Sequence, residues 1–220
     1  MIKDTSVIIA AGGKGKRMGR PKQLLKVGGQ EILVRTILAF KKVKRVKEII
    51  VVTTPETFKI VNKKIKDLKF APAGGERIES VKNGLKEVSD DINLIAVQDG
   101  ARPLVSPENI EACLKAAKKD KAAVLGVFVK DTIKRVKGGK VIQTLKREEL
   151  FAAQTPQCYR AEILKKALKK YGNEILATDE SQLVEKLGVS IAAVTGDYKN
   201  IKITTPEDLI IVGALCKKKK

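Results

Sequence analysis

A chain of 220 residues, 43% of them hydrophobic, is long enough to bury the core of one substantial domain without help from metals or disulfides. It has no histidine and only three widely spaced cysteines, Cys113, Cys158 and Cys216, which excludes imidazole catalysis, His-ligated zinc and a secreted disulfide framework. The formal net charge of +20 raises nucleic acid as a partner, with binding that falls steeply with salt.

That partner class fits the rest of the composition poorly. The lysines are spread along the whole chain, as in Lys41-Lys42-Val43-Lys44-Arg45 and Lys63-Lys64-Ile65-Lys66, and only three Tyr and five Phe are available for stacking, with no Trp. The expectation is a solvated lysine-rich surface and no nucleic-acid partner, a basic nucleic-acid-binding protein remaining the alternative of a different class. No apolar run approaches the ~18 residues of a membrane span, and no signal-peptide core precedes the first apolar run, so a cytoplasmic location and no membrane partner are expected.

In chain order, the apolar run up to residue 9 predicts a strand over 6–9. It opens directly into Ala11-Gly12-Gly13-Lys14-Gly15-Lys16-Arg17-Met18, with Pro21-Lys22-Gln23 just beyond. Gly12, Gly13 and Gly15 allow the backbone to approach a ligand, and Lys14, Lys16, Arg17 and Lys22 surround it with fixed positive charge, which suits a polyphosphate. The loop is neither of two familiar schemes. Arg17 follows Gly15-Lys16 where a Walker loop needs Ser or Thr, and Met18 stands where a dinucleotide fingerprint needs its third glycine.

Further strands are expected at 48–53, 69–72, 94–98 and 123–128. Between them Ile78, Val81, Leu85 and Val88, then Ile110, Cys113, Leu114 and Ala117, recur at helical spacing. This alternation predicts an α/β fold on a mostly parallel sheet, in which ligands sit at the carboxyl ends of the strands. Gly74-Gly75-Glu76-Arg77 follows the third strand, and with Ser80 offers backbone donors and a hydroxyl to a base or ribose, or simply caps a helix. Gln98-Asp99-Gly100-Ala101-Arg102-Pro103 closes the fourth. There Asp99 and Arg102 share one turn, either as a structural pair or to position a polyol or a hydrated Mg²⁺.

The pattern changes after residue 129. Residues 132–136 and 140–145 alternate around Lys137-Gly138-Gly139, a hairpin signature. Since an isolated hairpin is marginally stable, this hairpin at about 130–146 is expected to pair with something further, another subunit being one candidate. Helices then follow at 161–168 and near 181–187, strands at 189–194 and 199–203, and a helix from Pro206. With no repeat or long linker, residues 1–220 form a single domain.

Taken together, these motifs resemble the 2-C-methyl-D-erythritol 4-phosphate cytidylyltransferases. The resemblance rests on the first loop with Pro21-Lys22-Gln23, on Gly74-Gly75-Glu76-Arg77 with Ser80-Val81, and on Asp99-Gly100-Ala101-Arg102-Pro103. It continues through Asp131-Thr132, Arg147, Thr155-Pro156-Gln157, Thr178-Asp179-Glu180 and Asn200-Ile201-Lys202, in order over 7–209. It implies a Rossmann-like nucleotidyltransferase fold, a mostly parallel twisted sheet flanked by helices, with a protruding β-hairpin arm. The implied reaction is attack of the substrate phosphate on the α-phosphorus of CTP, on the non-mevalonate route to isoprenoids. Mg²⁺ would be held mainly by the CTP phosphates and by no protein ligand set.

By the same resemblance, Arg17 and Lys22 stabilise the α-phosphate, and Arg147 and Lys202 position the phosphorylated polyol. Asp99, Arg102, Thr132 and Thr155 contact that substrate. Ala11, Gly12, Gly13, Gly15, Gly74, Gly75, Arg77, Ser80 and Gly100 hold CTP. The arm implies a homodimer in which Arg147 and Thr155 complete the partner's site. One detail points to the alternative of a ribitol 5-phosphate cytidylyltransferase, because Ala11-Gly12-Gly13 is similar to that family; Gln98 is a further departure, standing where a histidine is common. Ser80-Val81 and Thr178-Asp179-Glu180 look more like the methylerythritol branch.

Overall fold

The computed structural model describes residues 3–13, 21–173 and 177–217. The described elements are β1 (Thr5–Ala10), β2 (Lys26–Val27), β3 (Gln30–Glu31), α1 (Ile32–Lys41), β4 (Val46–Thr53), α2 (Pro55–Lys64), β5 (Lys69–Pro72), α3 (Arg77–Lys86), β6 (Leu94–Asp99), α4 (Pro107–Asp120) and β7 (Ala122–Phe128). They continue with β8 (Lys134–Lys137), β9 (Lys140–Thr144), a 3₁₀ turn at Arg147–Glu149, β10 (Phe151–Arg160), α5 (Ala161–Tyr171), α6 (Glu180–Lys186), β11 (Ala192–Thr195) and α7 (Pro206–Lys217).

Seven strands form one sheet in the order β11-β7-β10-β6-β1-β4-β5, parallel throughout except for β10. The central strands are apolar on both faces because helices cover both. Val7, Ile9, Val51 and Ala96 pack in one layer with residues of α1 and α4, while Ile8, Ile50, Ile95 and Val97 pack in the other with α3, α5 and α6. Local signals set the helix starts. Thr54 and Ser106 accept from the backbone N–H three residues on, each with proline next in the chain, and Asp179 caps α6 in the same way.

β1 leads outward to β4 and β5, and the chain then returns on the other side of β1 as β6. The topological switch point therefore lies between β1 and β6, where a ligand crevice is expected. A third, smaller cluster of Val27, Ile32, Ile203 and Val212 fastens the β2–β3 ribbon and α7 beside it.

Two sequence expectations are corrected. Residues 199–203 form no strand: the Ile203 N–H donates to the Ala101 carbonyl (2.9 Å), so the segment crosses the carboxyl end of the sheet instead of joining it. The strand expected at 189–194 is confined to Ala192–Thr195. Conversely, α1, α2 and β10 carry no assignment from sequence. β10 holds Pro156, normally foreign to a central strand, at a break in its β7 register between Ala153 and Gln157.

The hairpin forms as expected. Gly138 and Gly139 have φ of +55° and +73°, the left-handed pair that a two-residue turn requires. All of β8 and β9 is exposed, including Val136, Val141 and Ile142. Among the described residues no helix is long and apolar enough to cross a membrane.

Candidate active site

A cavity of about 600 Å³ opens at the switch point, walled by the loops after β1, β5 and β6 and by Lys202 and Thr204. The first loop is braced from below. Ala11 donates to the Val52 carbonyl (2.8 Å), and the buried amide of Gln23 donates to the carbonyls of Ala11 (2.7 Å) and Gly13 (2.6 Å). A Cβ on Gly12 would stand 2.2 Å from Cβ of Ala73, so glycine alone lets the β1 loop meet the end of β5.

On the opposite wall the Gly74 N–H donates to Ser80 Oγ (3.0 Å) and the Gly75 N–H to Glu79 Oε2 (2.8 Å). Sequence reading offers these two N–H groups to a base or ribose. The structure uses both inside the α3 cap.

Asp99, at the end of β6, is the electrostatic centre. Its carboxylate meets three cations: Lys202 Nζ at 3.0 Å, Arg102 Nε at 3.3 Å and Arg77 Nε at 3.5 Å. Burial alone would push this carboxyl up, but Arg77, Lys202 and Arg102 together hold it down at about 2, so it is ionised throughout the physiological range. The Nη1 of Arg77 also donates to the fully buried Glu180. Burial raises the Glu180 carboxyl, and Arg77 offsets only part of that rise.

Most of the expected residues converge here. Ala11, Gly12, Gly13, Lys22, Gly74, Gly75, Arg77, Ser80, Asp99, Gly100 and Lys202 all line the cavity. Lys22 reaches across to donate to the Ile203 carbonyl, which joins the first loop to the segment carrying Lys202. Gly15 and Arg17 lie outside the described residues.

Two residues stand behind the wall instead of on it. Buried Arg102 braces Asp99 and donates to the Asn200 carbonyl (2.7 Å), while Asn200 donates to Gln154 Oε1 and to the Thr155 carbonyl. The Thr155 hydroxyl, also buried, accepts the Asp99 backbone N–H (3.1 Å). Thr155 thus braces Asp99 of its own chain.

Thr132 and Arg147 are exposed at the base of the arm, where Arg147 donates to the Lys130 carbonyl (2.9 Å), and neither lines this cavity. Gln23, Asn200 and Glu180 are the residues whose parts sequence reasoning leaves unassigned. Each acts through a partner distant in sequence or through a backbone carbonyl, and no spacing rule reports either.

Among the described residues no three His, Cys, Asp or Glu side chains cluster as a metal cage. The carboxylate at the centre of the site is already occupied by cations. The donor set therefore fits an anionic ligand.

The 2-C-methyl-D-erythritol 4-phosphate cytidylyltransferase family model, IspD, matches residues 5–218. The chain belongs to this family. Relatives of that name from Halalkalibacterium halodurans and Caldanaerobacter subterraneus subsp. tengcongensis are 43% and 42% identical, covering 98% of this chain and 98% and 100% of theirs. Among solved structures, the 4-diphosphocytidyl-2C-methyl-D-erythritol synthase of Anaerococcus prevotii superposes with a TM-score of 0.87 at 32% identity, over 97% of this chain and 96% of that one. The 2-C-methyl-D-erythritol 4-phosphate cytidylyltransferase of Thermus thermophilus gives 0.78 at 33% identity, over 95% and 96%. Membership of the cytidylyltransferase family is consistent with a glycine-rich first loop whose sequence follows neither the Walker nor the dinucleotide scheme.

Proposed function

We propose that this protein transfers CMP from CTP to 2-C-methyl-D-erythritol 4-phosphate, giving 4-diphosphocytidyl-2-C-methyl-D-erythritol and pyrophosphate. Family membership over residues 5–218 carries the reading, and a cavity whose central carboxylate is ringed by Arg77, Arg102 and Lys202 supports it.

An oxygen of the substrate phosphate attacks the α-phosphorus of CTP in line; that P–O bond forms as the bond to the bridging oxygen breaks, and pyrophosphate leaves. The nucleophile is already an anion, so no general base is needed and the chemistry does not call for histidine. The protein's work is positioning and charge neutralisation. Ala11, Gly12, Gly13, Gly74, Gly75, Ser80 and Gly100 cradle the nucleotide. Lys22 and Arg17 meet the charge that grows on the α-phosphate, and Lys202 meets the substrate phosphate. Asp99, kept ionised by its cations and aimed by Arg102 and Thr155, accepts a hydrogen bond from the polyol. A Mg²⁺ ion held mainly by the CTP phosphates would supply further charge neutralisation.

The arm belongs to this reading. Residues 1–220 act as one catalytic domain, and the hairpin at about 130–146 embraces a second subunit and brings Thr132 and Arg147 to the partner's cavity. Its exposed Val136, Val141 and Ile142 support that role. The test is ³¹P NMR of the protein with CTP, Mg²⁺ and methylerythritol 4-phosphate. Paired diphosphate-ester resonances and free pyrophosphate are expected, and release of CMP or no change overturns the proposal.

A further inference from the structure

The reaction described above gives no task to the most deeply buried charge beside the cavity. Glu180 opens α6 with its side chain wholly buried, and its Oε1 has no hydrogen-bond partner among the described residues. It does not cap the helix, because Asp179 does that by accepting from Gln182. Its platform is rigid. Asp179 also accepts from Ser181 Oγ (2.8 Å) and from the Gln157 amide on β10 (2.7 Å), and Gln157 in turn accepts from the buried Tyr159 hydroxyl (2.9 Å).

The Glu180 carboxylate meets Arg77, 103 positions earlier at the first turn of α3. A buried ion pair is a poor way to gain stability, since desolvation absorbs most of the attraction. It is an effective way to fix a guanidinium. Arg77 directs Nε to Asp99 and Nη1 to Glu180, so two carboxylates from different elements hold the planar fork at two different nitrogens. The side chain remains 22% exposed and lines the cavity beside Gly74, Gly75 and Ser80.

We infer that Glu180 is a positioning residue for the nucleotide: it locks the Arg77 guanidinium so that its remaining N–H groups face the CTP half of the cavity. Asp99 is shared among three cations, whereas Glu180 belongs to Arg77. Without Glu180 the guanidinium is free to swing onto Asp99 and lose its aim at the nucleotide. The inference rests on the proposed CTP-dependent activity.

The test is calorimetric titration of CTP with Mg²⁺, without the polyol, into wild type, Glu180→Gln, Glu180→Asp, Arg77→Met and the double variant Arg77→Met/Glu180→Gln, with thermal unfolding alongside. Glu180→Gln is expected to weaken CTP on the order of tenfold, as for the loss of one charge-assisted hydrogen bond. Glu180→Asp should recover part of that loss. The double variant should bind no more weakly than Arg77→Met, because Glu180 acts only through Arg77. Wild-type affinity in Glu180→Gln, or losses that multiply in the double variant, overturns the inference. If Glu180→Gln does not fold, Arg77→Met is compared with Arg77→Met/Glu180→Met: equal affinities support the inference and a further loss overturns it. A wild-type protein that fails to bind CTP defeats the proposed function as well, whereas wild-type binding with an unaffected Glu180→Gln defeats this inference alone.

Discussion

Lys202 Nζ lies 3.0 Å from Oδ2 of Asp99, joining the segment that leads into α7 to the end of the central strand β6. The cluster Val27, Ile32, Ile203 and Val212 holds that segment in place. The cation is thus delivered by packing far from the reacting atoms. Lys202→Met should lower kcat/KM for the polyol phosphate by about 100-fold or more, the scale for removing one preorganised charge. CTP affinity should stay close to wild type, and steady-state kinetics with each substrate varied in turn separates the two effects.

Asp99 should also set the acid stability. Its carboxyl is held at about 2 against an ordinary 3.8, so the ionised form favours the folded state. That contribution, about 2 kcal/mol, is complete at neutral pH and is lost as pH falls from about 4 through 2. Glu180 runs the opposite way, because its raised carboxyl makes the charged form a cost that acid relieves. Urea unfolding at a series of pH values should show a shallower acid limb for Asp99→Asn than for wild type. Parallel limbs would mean that Asp99 is not ion-paired in the folded protein.

Two adjacent glycines should respond differently. A Cβ on Gly12 meets Ala73 at 2.2 Å, whereas one on Gly13 meets nothing within 4 Å among the described residues. Gly12→Ala should cost about 1–3 kcal/mol as an overpacked contact, a fall of roughly 3–10 °C in Tm. Gly13→Ala should leave Tm unchanged. Scanning calorimetry of both variants checks the contrast, and equal melting points would contradict it.

If Arg147 acts across the dimer, inactive subunits should complement one another. Arg147→Ala and Lys202→Met each impair both sites of their own homodimer. A mixed dimer of the two carries one site with both defects and one with neither. Refolding the variants together should restore about a quarter of wild-type activity, reflecting the statistics of mixing two subunits in pairs. No recovery above the separate proteins would place Arg147 in the site of its own chain.

Much of this architecture is readable from residue patterns. β1, β4, β5, β6 and β7 are short apolar runs between turn signals, and the Gly138-Gly139 turn defines its hairpin. β10 is hidden because Pro156 argues locally against a central strand, and only the register break beside β7 makes room for it. Residues 199–203 mislead for the opposite reason. Their alternating apolar side chains serve a small cluster against α7 and not a sheet. The cavity wall is legible where glycine or charge follows a strand, as at Gly12, Gly74 and Asp99. The supports behind it are not: Glu180 finds Arg77, and Asn200 finds Thr155, across separations that only the folded sheet closes.

The central claim is CTP-dependent transfer to methylerythritol 4-phosphate. Its most direct test is continuous pyrophosphate release with CTP and Mg²⁺, offering methylerythritol 4-phosphate and ribitol 5-phosphate in parallel at equal concentration. Turnover should require the methylerythritol phosphate, with ribitol 5-phosphate poorer by about 100-fold or more in kcat/KM, the discrimination expected of a site built to hydrogen-bond one polyol. Faster release with ribitol 5-phosphate, or release with neither, would contradict the account.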